Sequence, residues 1–205
     1  YLSGHPLEKY RSIMEKMISA RTIDFQPDDE TGIPKVYDGQ KVIIGGMITE
    51  KTIKYTRNNK VMAFLTVEDL MGTVEIVVFP RDYEKWQTLI NEDARVFIQG
   101  RVNAEDDKPS KLILEKVRAF DDIPREIWIQ FKDREDYAQK EQELLNYLRG
   151  SVGTSAVVIY LKDVKAIKRL PAGYHVQISD FLLEELKKKY GDSNVKVVER
   201  VLKNF

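Results

Sequence analysis

The stretch KVIIGGMITEKTIKYT at 41–56, followed by VMAFLTVE at 61–68 and TVEIVVF at 73–79, decides the fold. These runs are rich in β-branched residues and read as strands. Gly45 and Gly46 interrupt the first run, as a bulge or sharp bend would. The polar turn Arg57–Lys60, centred on Asn58-Asn59, and a second turn at Asp69–Gly72 link the runs into a meander. Pro80 stops the sheet, and residues 81–91 put Tyr83, Trp86, Leu89 and Ile90 on one helical face. Two more strands are expected at 94–103, with Gly100 inside, and at 111–120. An acidic, Pro-containing turn at 104–110 separates them. Three strands, a helix and two strands is the order of an OB-fold, a small Greek-key barrel.

On the N-terminal side, Pro6 suits a first helical turn. Leu7, Tyr10, Ile13/Met14 and Met17/Ile18 recur at helical spacing, predicting a helix that ends near Ala20. Residues 24–40 show no period and read as a connector. On the C-terminal side the pattern predicts a strand at 126–132 and a helix at 134–149, capped by Asp133 and closed by Gly150. Strands follow at 155–161, 164–169 and 174–178. A helix at 181–190, capped by Ser179 or Asp180 and ended by Gly191, leads to a last strand at 194–202. A split βαβ arrangement fits this order. The expected organisation is two domains: an all-β OB-fold barrel with an N-terminal helix, then a small α+β domain. The expected boundaries are 1–37 for helix and connector, 38–120 for the barrel, 121–124 for a linker and 125–205 for the α+β domain.

The chain has 205 residues, of which 42% are apolar and 32% charged, and its formal net charge is zero. That composition describes a folded chain, not a disordered tail. No apolar run reaches the ~20 residues that span a membrane. No signal peptide is visible, and a cytoplasmic location is expected. With no Cys at all, disulfides, thiolate metal sites and Cys nucleophiles are excluded. His5 and His175 stand far apart, so a histidine-based metal site or triad has little to build from, and no cofactor is expected. No P-loop, GxSxG, HExxH or EF-hand pattern occurs. The acidic pairs Asp28-Asp29, Asp106-Asp107 and Asp121-Asp122 sit in polar turns, so no catalytic or metal-binding residue is assigned. The chain begins at Tyr1 in mid-pattern and is expected to be a fragment of something longer.

The zero total hides local charge. Residues 38–120 hold 13 Lys/Arg and 13 Asp/Glu, whereas 125–205 hold 15 and 12. The window KTIKYTRNNK at 51–60 has four basic residues and no acid. In an OB-fold this hairpin and the loop between strands four and five flank the face that binds single strands. Such binding needs cations along the phosphates and aromatic faces under the bases. Lys51, Lys54, Arg57, Lys60, Arg101, Lys108 and Lys111 are the candidate cations, and Tyr55 and Phe64 the candidate stacking rings. On the second strand Ala63, Leu65 and Val67 share one phase, and Met62, Phe64, Thr66 and Glu68 the other. The mixed phase reads as the outer face. The bland alternatives are a solvated strand edge for the basics and Tyr55, and core packing for Phe64. About four neutralised phosphates on a single strand give a log–log salt slope near −3.

YLSGHPL at 1–7 and MAFLTVEDLMGTVEIVVFPRDYEKW at 62–86 resemble the alpha subunit of bacterial DNA polymerase III, of the type with an OB domain near its C-terminus. IQGRVN at 98–103 and KLILEKV at 111–117 are similar to the same family, and NVKVVE at 194–199 fits its C-terminal domain less strongly. The resemblance implies a non-catalytic piece of a replicative polymerase, because the family's catalytic carboxylates, duplex-contacting region and internal clamp-binding motif lie upstream. It implies an OB domain on single-stranded template, with Lys51 to Lys60 in the first loop and Phe64 in the MAF stretch. It also implies a C-terminal domain that docks the clamp-loader subunit. The neutral barrel is a departure from strong DNA binding. Two alternatives stand beside this reading: a pure protein-interaction module with the barrel as spacer, and an RNA-binding OB appendage of an aminoacyl-tRNA synthetase. Val201, Leu202 and Phe205 are candidate partner contacts.

Overall fold

In the computed structural model, residues 4–105 and 108–201 are described, and they belong to two compact units that part between Asp122 and Ile123. In the first unit a 3-10 turn at Glu8–Tyr10 leads into α1 (Arg11–Met17). This helix is shorter than its apolar period suggests. Ile18 is already extended, and the Ser19 amide donates to the Ile43 carbonyl at 2.8 Å while the Ser19 hydroxyl accepts from the Ile43 amide at 2.8 Å. Pairing with the first strand replaces the helix's last turn.

The aperiodic segment that follows does more than connect. A 3-10 turn at Thr22–Phe25 carries Phe25 fully into the barrel core, and Val36 joins it. The Phe25 carbonyl accepts from the Ser110 amide at 2.9 Å, and the Gln26 side chain donates to the Thr73 carbonyl at 3.4 Å. Asp69 anchors the turn. Its carboxylate accepts from the Thr22 amide and hydroxyl and from the Met71 and Gly72 amides.

The strands β1 (Lys41–Tyr55), β2 (Val61–Glu68), β3 (Thr73–Val78), β4 (Arg95–Asn103) and β5 (Lys111–Ala119) form a closed barrel in the order β1-β2-β3-β5-β4. All pairings are antiparallel except β3 with β5, a parallel seam of two register pairs. This is the OB-fold topology. The glycines have a different role from the one expected. The β1 bulge lies between Ile48 and Glu50, not at Gly45-Gly46. A Cβ on Gly46 would lie 2.4 Å from the Glu68 carbonyl oxygen, and one on Gly100 2.2 Å from that of Ile113. Strands pass too close there for any side chain. Helix α2 (Pro80–Trp86) begins with Pro at its first turn, and the Trp86 indole donates to the Glu115 carbonyl at 3.1 Å. Tyr83, Trp86 and Leu89 pack against the barrel core, which includes Ile44, Ile48, Leu65, Ile76 and Ile98.

The second unit runs β6 (Arg125–Phe131), α3 (Arg134–Leu148), β7 (Val157–Leu161), β8 (Ala166–Arg169), α4 (Asp180–Tyr190) and β9 (Val195–Glu199), with sheet order β8-β7-β6-β9. β6 and β7 are parallel neighbours, so the βαβ unit is not split. The strand expected at 174–178 is absent. A 3-10 turn at Ala172–Tyr174 and a single bridge from Val176 to Ser155 stand there, because Pro171 and Gly173 favour a turn. Asp133 caps α3 by accepting from the Asp136 amide at 2.8 Å, and Ser179, not Asp180, caps α4 by accepting from the Leu182 amide at 3.2 Å. Gly191 ends α4 with a φ of 97°. Gly150 has no positive φ, and α3 runs out through Arg149 in helical geometry.

Candidate nucleic-acid interface

The β1–β2 hairpin outruns the barrel. β4 pairs with β1 only as far as Met47, and β3 pairs with β2 only from Ala63, so the end of the hairpin is a two-stranded arm. Its turn, Thr56 to Lys60, closes with the Thr56 amide donating to the Lys60 carbonyl at 2.9 Å, and Asn59 takes a φ of 55°. The register sorts the candidates by face. Lys54 pairs with Met62 and Thr52 with Phe64, placing Lys54 and Phe64 together on the outer face. The Lys54 ammonium lies 5.1 Å from the Phe64 ring centroid. Ala63, Leu65 and Val67 are buried on the opposite face.

Tyr55 does not join them. It pairs with Val61, on the face that holds Ala63, and is 70% exposed. Lys51 shares that phase, donates to the Asn91 side chain at 3.2 Å and lies 5.4 Å from the Tyr83 ring centroid. Three of the other cations are held by acids. Arg101 is 3.6 Å from Glu115, Lys111 is 2.7 Å from Glu75, and Lys108 is 2.6 Å from Glu105. The hydrogen bond to Glu105, and then its charge, hold the Lys108 ammonium above the ordinary lysine value. Lys54, Arg57 and Lys60 form no ion pair among the described residues.

Sequence reasoning placed Glu68 on the outer face and missed the other two acids there, Glu50 and Glu75. All three share the phase of Phe64, and the period-two alternation of β1 and β3 would have found Glu50 and Glu75. Glu75 is paired with Lys111, Glu68 lies 3.2 Å from His5, and Glu50 accepts from the Thr66 hydroxyl at 3.4 Å. The face therefore runs from a cationic arm, through Phe64, to an acidic end. Among the described residues no cluster of His, Asp or Glu is placed to hold a metal ion, and no helix is long and apolar enough to cross a membrane. Asp106-Asp107, Tyr1–Ser3 of the first motif, Leu202 and Phe205 lie outside the described residues.

A family model described as an OB-fold nucleic acid binding domain matches residues 42–119, the span of the barrel. Over 210 residues the chain is 25% identical to the DNA polymerase III subunit alpha of Escherichia coli K12, covering 96% of this chain and 17% of that protein. The Bacillus subtilis subunit is 26% identical over 205 residues, covering 95% and 17%. Its homologues are DNA polymerase III alpha subunits. The chain thus spans about a sixth of the length of the alpha subunits it matches, and the match takes in both units. Among solved structures, the SSB domain of a Synechococcus protein overlaps 40% of this chain and 97% of its own, with 16% identity and a TM-score of 0.36.

Proposed function

We propose that the chain is a non-catalytic, C-terminal part of a cytoplasmic bacterial DNA polymerase III alpha subunit, whose barrel contacts single-stranded template DNA. The observation that carries this reading is the projecting arm, where Lys54 lies over Phe64, and Arg57 and Lys60 form no ion pair among the described residues. The contact has two coupled parts. A phosphate approaching Lys54 draws the ammonium off the ring, and the uncovered Phe64 face then offers a base a stacking surface. The acids on the rest of the outer face keep the strand on the arm. Three cations instead of four lower the expected salt slope to about −2. Such binding is weak and salt-sensitive, which suits a module tethered to a polymerase. The second unit is assigned to docking the clamp-loader subunit, a reading supported by the match to alpha subunits through that region.

The test is fluorescence anisotropy of the full chain with labelled single-stranded and duplex oligonucleotides at low and moderate salt. Single strands should bind in preference. Lys54→Glu with Arg57→Glu should weaken binding and flatten the salt slope by about 1.4. Binding unchanged in that double variant sinks the site. No binding by the parent chain at low salt leaves the barrel a positioning element and moves the function to docking.

A further inference from the structure

Helices cover one face of the C-terminal sheet. Helices α3 and α4 pack on the side of Ile127, Ile129, Phe131, Val157 and Ile159. The alternate residues face the other way: Glu126 and Val158 are buried there, and Trp128, Gln130 and Tyr160 are half-buried. Trp128 of β6 and Tyr160 of β7 stand there, half-buried, with ring centroids 6.4 Å apart. The Trp128 indole N–H is already spent, donating to Glu126 at 3.0 Å, and Arg169 holds the other Glu126 oxygen. What Trp128 still offers a ligand is therefore its π face. Beside the rings lies a concavity of ≈ 210 Å³ whose polar lining is Gln130, Asn194, Ser193 and Lys196.

The charge on this face is one-sided. Glu126 is the only carboxylate that the strand register places there, and it is consumed by Arg169 and Trp128. Lys196, paired across from Trp128, is exposed and has no ion pair among the described residues. Aromatic faces and an unpaired cation around a concavity are the chemistry of unstacked bases and a phosphate.

We propose that the face of the C-terminal sheet opposite α3 and α4 is a second contact for single-stranded nucleic acid, with Trp128 and Tyr160 stacking bases and Lys196 meeting a phosphate. It is separate from the barrel arm and does not depend on it.

The chain has two tryptophans, so Trp86→Phe leaves Trp128 as the sole reporter. That full-length variant is titrated at low salt with an oligothymidylate of roughly twelve nucleotides. Trp128 emission should be quenched to saturation. Tyr160→Ala should weaken the response about tenfold, in line with the loss of one stacked base. Lys196→Glu, at an exposed position, should weaken it and flatten its salt slope, and it keeps the test open if Tyr160→Ala does not fold. Lys54→Glu with Arg57→Glu should leave the quenching in place. Three results would overturn the proposal. One is no quenching by saturating oligonucleotide, even if a protein partner changes the emission. Another is quenching that ignores both Tyr160→Ala and Lys196→Glu. The last is quenching that vanishes with the arm charges.

Discussion

The barrel and the C-terminal sheet handle the same requirement, hiding the polar backbone and apolar side chains of strands, in opposite ways. The barrel closes on itself, and the Thr22–Phe25 turn and α2 pack against its core. The sheet stays open, with helices on one face only. Each buries one carboxylate. Asp69 feeds four donors in the barrel, three of them backbone amides, whereas Glu126 in the sheet feeds two side chains. Closure makes backbone spacing the critical variable in the first unit. Openness makes side-chain pairing the critical variable in the second.

The harshest way to break that contrast is to fill the barrel's tightest crossing. Gly46→Val drives a side chain into the Glu68 carbonyl and the Val67 side chain. It should cost roughly 3 kcal/mol or more, as overpacking against backbone does. Hydrogen exchange of the full chain should show protection lost across the barrel strands and kept in β6 and β7. Equal loss in both units would mean the contrast is false.

In the sheet, Arg169→Ala strands Glu126 in a buried site. The expected cost is about 2 kcal/mol, below the value for a fully buried pair because Arg169 is half in water. Burial pushes the Glu126 carboxyl up, but hydrogen bonds from Arg169 and Trp128 and the charges of Arg169 and Arg200 outweigh it and hold it below the ordinary 4.5. A depressed folded value adds stability that is present above pH 4.5 and lost as pH falls through the folded value. Denaturant unfolding between pH 6 and 3 should therefore show this loss in the parent chain, and Glu126→Gln should flatten it. A parallel pH profile in that variant would remove Glu126 from the account.

The smallest effect sharpens the contrast. Ser179→Ala removes the α4 cap and should cost about 1 kcal/mol, read as a shift of the urea midpoint. The barrel's exchange protection should not change.

Most of the barrel was legible because each strand carries its own period, and β2 keeps the bounds Val61–Glu68 that its alternation marks. The segment around Phe25 and Val36 was not, because a 3-10 turn and extended chain leave no repeat to read. Gly45 and Gly46 advertised an irregularity, but sequence does not say whether glycine bends a strand or admits a neighbour. On the arm, the basic window was visible, yet its split between two faces follows only from register, which puts Lys54 beside Phe64 and Lys51 beside Asn91. The unsplit βαβ unit was out of reach because strand neighbours are set by tertiary pairing.

The parallel seam between β3 and β5 gives the barrel a chronology. Only Ile76–Leu112 and Val77–Ile113 join there, and both pairs unite segments far apart in the chain. Hairpins form early because their loops are short, and a seam of this kind forms after them. The Phe25 and Gln26 hydrogen bonds to Ser110 and Thr73 lie beside it and tie the preceding segment to both sides of the joint. A chain feeding off a ribosome offers residues 22–26 long before β5 exists. That segment's Asp69 and Thr73 partners arrive with the first hairpins, and its Ser110 partner comes only with the last strand.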